Sequence, residues 1–228
     1  KYNYNKFSKN IRIQSLKMIY ESKGSHIGSV YSIVDILAVL YAGKILTYDF
    51  KDPNYKNRDR FILSKGHACA GLYATLAYVK IIPKELLKDY GKNNSVLMAH
   101  SSHYVNGIEF STGSLGHGLP YAVGKALAAK HQSLKWRTFV LASDGEMNSG
   151  SNWEAIMFAS HHKLNNLILI IDCNKFQGLS TTKNIIQLAP LKNKFNSFGW
   201  KTFEVNGHDT EELSKVFLKT KSIKNKPI

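Results

Sequence analysis

The chain has 228 residues, of which 43% are hydrophobic and 21% charged, a composition typical of a folded globular protein rather than a disordered one. The net charge is +15, but only four of the 31 basic residues are arginines and no block of like charge occurs. The charge therefore favours a solvated surface, an acidic partner or phosphorylated substrates over a nucleic-acid interface. No apolar run approaches the roughly 18 residues of a membrane span, and two cysteines favour a reducing cytoplasm.

The first half of the chain is predicted to be mostly helical. Apolar residues recur at helical spacing over 7–22, and Ser32 with Asp35 forms a possible capping box that would open a helix over 33–41. A strand over 61–63 precedes a helix over 68–79, and Pro83 starts a short helix that ends near residue 90. Residues 91–118 form a long loop with five glycines and three histidines, and loops of this length are usually functional.

The second half of the chain alternates helices with strands. Helices are predicted over 119–131, 151–164, 191–198 and 210–221, and strands over 138–142, 167–172, 202–205 and from about residue 227. Alternating elements with nearly continuous apolar strands predict an α/β fold with a mostly parallel sheet and helices on both faces. Because no repeat or low-complexity linker divides the chain, we expect a single domain over 1–228.

Polar residues follow two of the predicted strands. Asp144 and Gly145 follow the strand over 138–142, and Asn174 follows the next one. Because ligands bind beyond the carboxyl ends of parallel strands, and a right-handed crossover makes these strands near neighbours, Asp144 and Asn174 are expected to converge. With a nearby backbone carbonyl, two diphosphate oxygens and a water they would complete an octahedron around Mg²⁺. An Asp-Gly pair alone is also typical of a simple turn.

The sequence Ser143-Asp144-Gly145, followed after a gap by Asn174, resembles the thiamine-diphosphate fingerprint, whose usual form is Gly-Asp-Gly and then Asn. The wider segment over 141–175 resembles the transketolase family, as do four further segments, over 25–28, 59–67, 107–118 and 198–209. The resemblance covers nearly the whole chain. It is closest to the short N-terminal subunits of split transketolases, and it implies the thiamine-diphosphate-binding fold.

The resemblance implies a set of site residues. The implied ligands of Mg²⁺, or of Ca²⁺ or Mn²⁺, are Asp144, Asn174 and the backbone oxygen of Phe176. Contacts to thiamine diphosphate are implied for Gly145 and His67 at the diphosphate, and for Gly113, Ser114 and Leu115 at the aminopyrimidine and thiazolium. His26, His67 and His100 would surround the reacting carbon, where imidazoles can move protons to and from ketose oxygens. His103 competes with His100, but its spacing to residues 107–109 is less suitable.

Four positions depart from the family pattern. Ser143 replaces a glycine, Ser149 stands where a glutamate is usual, Gly178 replaces an aliphatic residue that packs on the cofactor, and Ile27 replaces a proline. These departures favour an unusual substrate or weaker cofactor binding. They leave the implied metal ligands in place.

The implied function is that of the diphosphate-binding subunit of a transketolase-like enzyme, which moves a two-carbon ketol unit between sugar phosphates. In the family, a pyrimidine-binding domain supplies the glutamate that activates the aminopyrimidine. Nothing in this sequence corresponds to that domain, so either a separate subunit supplies it or the sequence is a fragment of a longer chain. We expect a partner subunit, with two copies of each chain. The alternatives are deoxyxylulose-phosphate synthesis, a dehydrogenase component or a non-catalytic binding module. His26 and His100 favour ketol transfer, whereas Ser149 and Gly178 favour the binding module.

Overall fold

The computed structural model describes residues 3–52, 55–178 and 180–228. The helices are α1 (Tyr4–Glu21), α2 (Ile27–Leu37), α3 (Cys69–Tyr78), α4 (Gly118–His131), α5 (Gly150–His161), α6 (Thr182–Ile185), α7 (Leu191–Ser197) and α8 (Thr210–Lys219). A π-helical turn over Ala38–Ala42 continues α2, and 3₁₀ turns cover Gly66–Ala68, Lys84–Asp89, Gly145–Asn148 and Thr220–Ser222. The strands are β1 (Arg60–Leu63), β2 (Thr138–Ser143), β3 (Leu167–Asp172), β4 (Phe176–Gln177) and β5 (Ser180–Thr181).

The first three strands form a parallel sheet in the order β1–β2–β3, as the sequence predicted. In this register Ser143 lies beside Asp172, so the carboxyl ends of β2 and β3 meet at one edge. Ile228 continues the sheet beyond β3, because its N–H donates to the Leu167 carbonyl at 3.1 Å and its carbonyl accepts from Leu169 at 2.7 Å. This pairing agrees with the strand predicted to begin near residue 227. The short strands β4 and β5 form a separate antiparallel hairpin.

Helices cover both faces of the parallel sheet, which confirms the predicted layers. Successive residues of a strand point to opposite faces. Phe61 and Phe139 accordingly pack into one apolar cluster with side chains from α1, α2, α3 and α8. Ile62 and Val140, one position further along, pack into a second cluster with α4, α5 and α7. Burial on both faces explains why the strands are apolar without alternation.

The helix predicted over 33–41 begins earlier, so the proposed capping box at Ser32 is wrong. The chain turns at His26, which has a left-handed φ of 71°, and α2 starts at Ile27. The Val30 N–H already donates to the His26 carbonyl at 3.1 Å. Ser32 is therefore inside the helix, and its hydroxyl donates to Asp172 at 2.6 Å.

The strand predicted over 202–205 is also wrong, because these residues adopt no regular structure. Lys201 donates to the Pro227 carbonyl at 2.9 Å, but no ladder follows. Phe203 and Val205 are partly buried against the first apolar cluster. Their alternation thus reflects packing against a core rather than pairing with a strand. None of the helices among the described residues combines the length and hydropathy that a membrane span requires.

A buried carboxylate holds together the ends of β1 and β2 that lie opposite the site edge. Asp59 is 8% exposed, and its two oxygens accept from the Arg137 N–H at 2.7 Å and from the Thr47 N–H at 2.9 Å. The Arg137 guanidinium adds a contact at 3.2 Å. The Asp59 carboxylate therefore fixes where both strands begin.

We expect Asp59→Asn to lower the free energy of unfolding by about 2 kcal/mol, because the side-chain amide keeps only one acceptor oxygen and turns an NH₂ group toward one of the two backbone N–H donors. Urea unfolding followed by circular dichroism measures the change. Asp89→Asn, which breaks the exposed contact to Lys92, is the control and should change it by less than about 0.5 kcal/mol. Equal losses in the two variants would show that the Asp59 hydrogen bonds contribute little.

Candidate active site

The residues predicted to bind a metal ion converge on one turn, over 174–176. The carboxylate of Asp144, which is 8% exposed, accepts from the N–H groups of Gly145 and Lys175, both at 2.9 Å. The amide oxygen of Asn174 accepts from the Phe176 N–H at 2.9 Å. Asp144, Asn174 and the backbone of Phe176 therefore lie together where β2 and β3 end.

The donor atoms at this turn suit a hard divalent cation. They comprise one carboxylate, one amide oxygen and one backbone carbonyl, all of which are oxygen ligands. Across the described ranges, no three His, Cys, Asp or Glu side chains come together as a metal site, so a cation bound at this turn would need the amide and the carbonyl as well as the carboxylate. Burial raises the pKa of Asp144, although the Lys175 and Gly145 amides oppose the change. A bound cation would favour the charged carboxylate and offset the effect of burial.

Gly145 lies where the chain leaves no room for a side chain. A Cβ at this position would lie 2.9 Å from Cγ of Gln177, on the β4–β5 hairpin. The side-chain amide of Asn148 also holds Gln177 in this position, because it donates to the Gln177 side-chain oxygen at 2.9 Å. Ser143 fits in place of the fingerprint glycine because its hydroxyl accepts from the Glu146 N–H at 3.2 Å.

Three histidines form a cluster, hereafter the imidazole cluster: His26, His67 and His100. The ring centroid of His26 is 5.1 Å from that of His67 and 6.3 Å from that of His100. His26 precedes α2, His67 lies in the turn after β1, and His100 lies in the long loop. A Cβ on Gly113 would lie 3.5 Å from Cδ2 of His100, so the predicted ring-lining residues Gly113, Ser114 and Leu115 begin beside the cluster.

The two other histidines of the long loop have different partners. The Nδ1 atom of His103 lies 2.7 Å from the Ser111 hydroxyl, and its ring packs on Tyr104 with centroids 4.3 Å apart. His117 contacts the carbonyl oxygens of Ser114 and Leu115 at 3.3 and 3.2 Å. The ring contacts thus join His100 to His26 in the cluster, whereas His103 packs on Tyr104.

A buried ion pair that no motif of the sequence predicts lies beneath these groups. Lys65 is fully buried, and its Nζ lies 2.5 Å from Asp172. Asp172 also accepts from the Ser32 hydroxyl at 2.6 Å and from the Asn174 amide at 3.3 Å. The sequence contains one relevant signal, the carboxylate of Asp172 at the end of an apolar strand. No nearby residue pattern indicates that Lys65 is its partner.

Burial keeps the imidazoles of His26 and His67 neutral near pH 7. Burial lowers the pKa of His67 to about 4, and the positive charge of Lys65 and the neighbouring His26 and His100 add to the effect. Burial and His100 also lower the pKa of His26. A neutral imidazole has one donor and one acceptor nitrogen, so the rings of His26 and His67 can both accept and donate protons.

We expect the His67 ring to titrate near pH 4, because burial disfavours its charged form. Its pKa in the folded chain lies below the ordinary 6.5, so the unfolded chain binds the extra proton as the pH falls from 6.5 to 4. His67 therefore reduces stability progressively over that range. NMR of the ring protons, assigned with His67→Gln, measures the midpoint, and urea unfolding of both proteins at pH 7 and pH 5 measures the loss.

The stability lost between pH 7 and pH 5 should be smaller in His67→Gln than in the wild type. His103→Gln is the control for assignment, since it removes a different ring signal and leaves that of His67 in place. A midpoint near 6.5 for His67 would contradict the prediction.

Known proteins of one family resemble this chain in sequence and in fold. Residues 4–228 match the family model described as "Transketolase, thiamine diphosphate binding domain". The chain is 37% identical over 216 residues to an apulose-4-phosphate transketolase subunit of Phocaeicola vulgatus, covering 95% of this chain and 76% of that protein. It is also 37% identical over 218 residues to the 6-deoxy-6-sulfo-D-fructose transketolase subunit SqwG of Clostridium sp., covering 95% of this chain and 79% of that protein.

Solved structures show the same likeness over a smaller share of longer chains. A transketolase from Leishmania mexicana superposes with a TM-score of 0.94 at 29% identity, covering 99% of this chain and 36% of that one. A transketolase from Campylobacter jejuni gives 0.92 at 31% identity, covering 98% and 36%. The chain thus spans about a third of these solved transketolases. From its sequence match and its fold, the chain belongs to the transketolase family and corresponds to the family's thiamine diphosphate-binding domain.

Proposed function

We propose that this chain is the diphosphate-binding subunit of a two-subunit transketolase, which transfers a two-carbon ketol unit between sugar phosphates with thiamine diphosphate and a divalent cation. The observation that carries the proposal is the continuity between two groups of residues. The turn over 174–176 is joined to Asp172 by the Asn174 amide, and Asp172 is paired with Lys65, two residues before His67. The proposed cation site and the imidazole cluster therefore share one edge of the sheet.

The oxygen-rich turn is the part that would hold the diphosphate end of the cofactor. Asp144, Asn174 and the Phe176 carbonyl would bind Mg²⁺, or Ca²⁺ or Mn²⁺ in its place. Gly145 and His67 would contact the diphosphate, where the neutral ring of His67 can donate one N–H without carrying a charge. Bound thiamine diphosphate supplies a carbon nucleophile that can also store the electron pair of a broken C–C bond.

The imidazole cluster is the part that would face the substrate. Gly113, Ser114 and Leu115 would line the rings of the cofactor, beginning beside His100. His26 and His100 would then hydrogen-bond the hydroxyl and carbonyl oxygens of a ketose. Because burial lowers the pKa of His26, its imidazole is free to accept a hydroxyl proton near pH 7 and return it later.

A partner chain is part of the same proposal, with the whole of 1–228 forming one domain and a second chain carrying the pyrimidine-binding domain. Two relatives named as transketolase subunits are matched over 76% and 79% of their length. Large apolar side chains are exposed at Phe176, in the turn proposed to bind the cation, and at Met157 and Phe158 on α5. Such surfaces usually mark an interface. We propose two copies of each chain, acting in the cytoplasm, where the free thiols of Cys69 and Cys173 would remain reduced.

We expect Asp144→Asn to weaken the binding of thiamine diphosphate with Mg²⁺ at least tenfold, because it removes the only charged ligand proposed for the cation. Titration calorimetry on the chain reconstituted with its partner measures the affinity. Asp59→Asn is the matched control, because it alters a buried carboxylate at the opposite edge of the sheet and should leave the affinity unchanged. Equal affinity in Asp144→Asn and the wild type would overturn the metal-site assignment.

We expect the purified chain alone to show no ketol transfer between sugar phosphates, because the proposal places the activating glutamate on the partner. Adding the pyrimidine-binding chain should produce turnover in a coupled assay and should raise the assembled mass, measured by light scattering, to that of two copies of each chain. Robust turnover by the chain alone would refute the two-chain architecture. Association of the two chains without turnover would refute the transferase function but would still support the two-chain architecture.

A further inference from the structure

Glu146 is a buried carboxylate to which the sequence assigned no role. It follows Gly145, it is fully buried, and in the described part of the chain no salt bridge includes it. A buried anion without a cation is costly unless hydrogen bonds replace its water. Its donors therefore show what the carboxylate is placed to hold.

Three separate segments donate to the Glu146 carboxylate. Oε1 accepts from the Gly116 N–H at 2.9 Å and from the Ser64 hydroxyl in a short contact, and Oε2 accepts from the Ser143 N–H at 3.3 Å. Ser64 follows β1, Ser143 ends β2, and Gly116 belongs to the long loop. One side chain thus joins the ends of two strands to the loop beside the imidazole cluster.

The loop is fixed on both sides of Gly116. Its N–H is bonded to Glu146, and its carbonyl accepts from the Ser151 hydroxyl on α5 at 2.7 Å. Gly116 has a left-handed φ of 87°, and a Cβ there would lie 2.5 Å from Cβ of Ser149. Gly113 and Ser114, in contrast, are exposed. The buried anchor at Gly116 therefore fixes the C-terminal end of this exposed part of the loop. Its N-terminal end is fixed separately by Thr112, whose hydroxyl donates to the Leu63 carbonyl at 2.6 Å.

We propose that Glu146 is a positioning residue that sets the distance between two parts of the cofactor site, the loop over 113–116 and the turn at Asp144–Gly145. The inference rests on the proposed function, in which the loop lines the rings of thiamine diphosphate and the turn holds its diphosphate. A rigid cofactor that is bound at both ends binds best when this distance is already fixed. A contact that is out of position contributes little to the binding free energy. Glu146 would fix that distance from its buried position, without contacting the cofactor.

The variant Glu146→Met tests the inference, because methionine fills a similar volume and offers no strong acceptor. We expect thiamine diphosphate with Mg²⁺ to bind about tenfold more weakly, measured by calorimetry on the chain reconstituted with its partner. We also expect amide hydrogen exchange over 113–117 to become faster in the free chain. Asp59→Asn is the control for general loss of stability: it should unfold more easily and yet bind the cofactor as the wild type does.

The milder variant Ser151→Ala removes only the bond to the Gly116 carbonyl, so it keeps the inference testable if Glu146→Met does not fold. It should weaken cofactor binding about threefold and speed exchange over 113–117. Unchanged affinity in Ser151→Ala and in a folded Glu146→Met, with binding intact in the wild type, would overturn the positioning role alone. Absence of cofactor binding by the wild-type complex would overturn the proposed function, and the inference with it.

Discussion

The buried ion pair between Lys65 and Asp172 joins the ends of β1 and β3 across the end of β2, which lies between them. Removing two charges from water costs several kcal/mol for each ion, so a buried pair is tolerated only where further hydrogen bonds complete it. Here Ser32 and Asn174 provide them. The pair therefore attaches α2, the turn after β1 and the turn after β3 to one another. Loss of either partner would leave an unpaired charge at the centre of this arrangement.

The same pair influences the protonation of the groups above it. After burial, which is the main cause, Lys65 is the largest contribution to the low pKa of His67, and the nearby carboxylate of Asp172 helps to raise the pKa of Asp144. The fully buried Glu146 also supports the site edge, but its carboxylate accepts hydrogen bonds from neutral donors and is not paired with a cation. Two buried acidic residues thus support the site edge, one neutralised by a lysine and the other satisfied by hydroxyl and backbone N–H groups.

The sequence predicts the parts of the fold that depend on local pattern. The apolar strands over 138–142 and 167–172 and the residues that follow them were enough to predict that Asp144 and Asn174 would meet. The histidines required the resemblance to a family, because no spacing rule brings positions 26, 67 and 100 together. The start of α2 was misplaced because a left-handed residue, His26, initiates it without a side-chain cap.

The supporting contacts beneath the site had no local signature at all. Lys65 and Asp172 are 107 positions apart, and Ser64 and Glu146 are 82 positions apart. Such pairs form only after the sheet has brought the ends of its strands together. A single sequence gives the residue types at these positions, but it does not give their partners. The strand predicted over 202–205 was wrong for a related reason. The alternation of apolar and polar residues there reflects packing against the core, and a single sequence does not distinguish this from pairing with a strand.

The backbone at His26 places two requirements on one residue. Its left-handed conformation costs a residue with a side chain of the order of 1 kcal/mol, whereas glycine or asparagine adopts it more readily. The imidazole, however, is what joins His26 to the cluster. Selection for thermal stability alone would therefore favour replacing this histidine, and selection for the proposed chemistry would retain it. Engineering that screens only for folded, heat-resistant protein is thus expected to discard this side chain, and screening for turnover to preserve it.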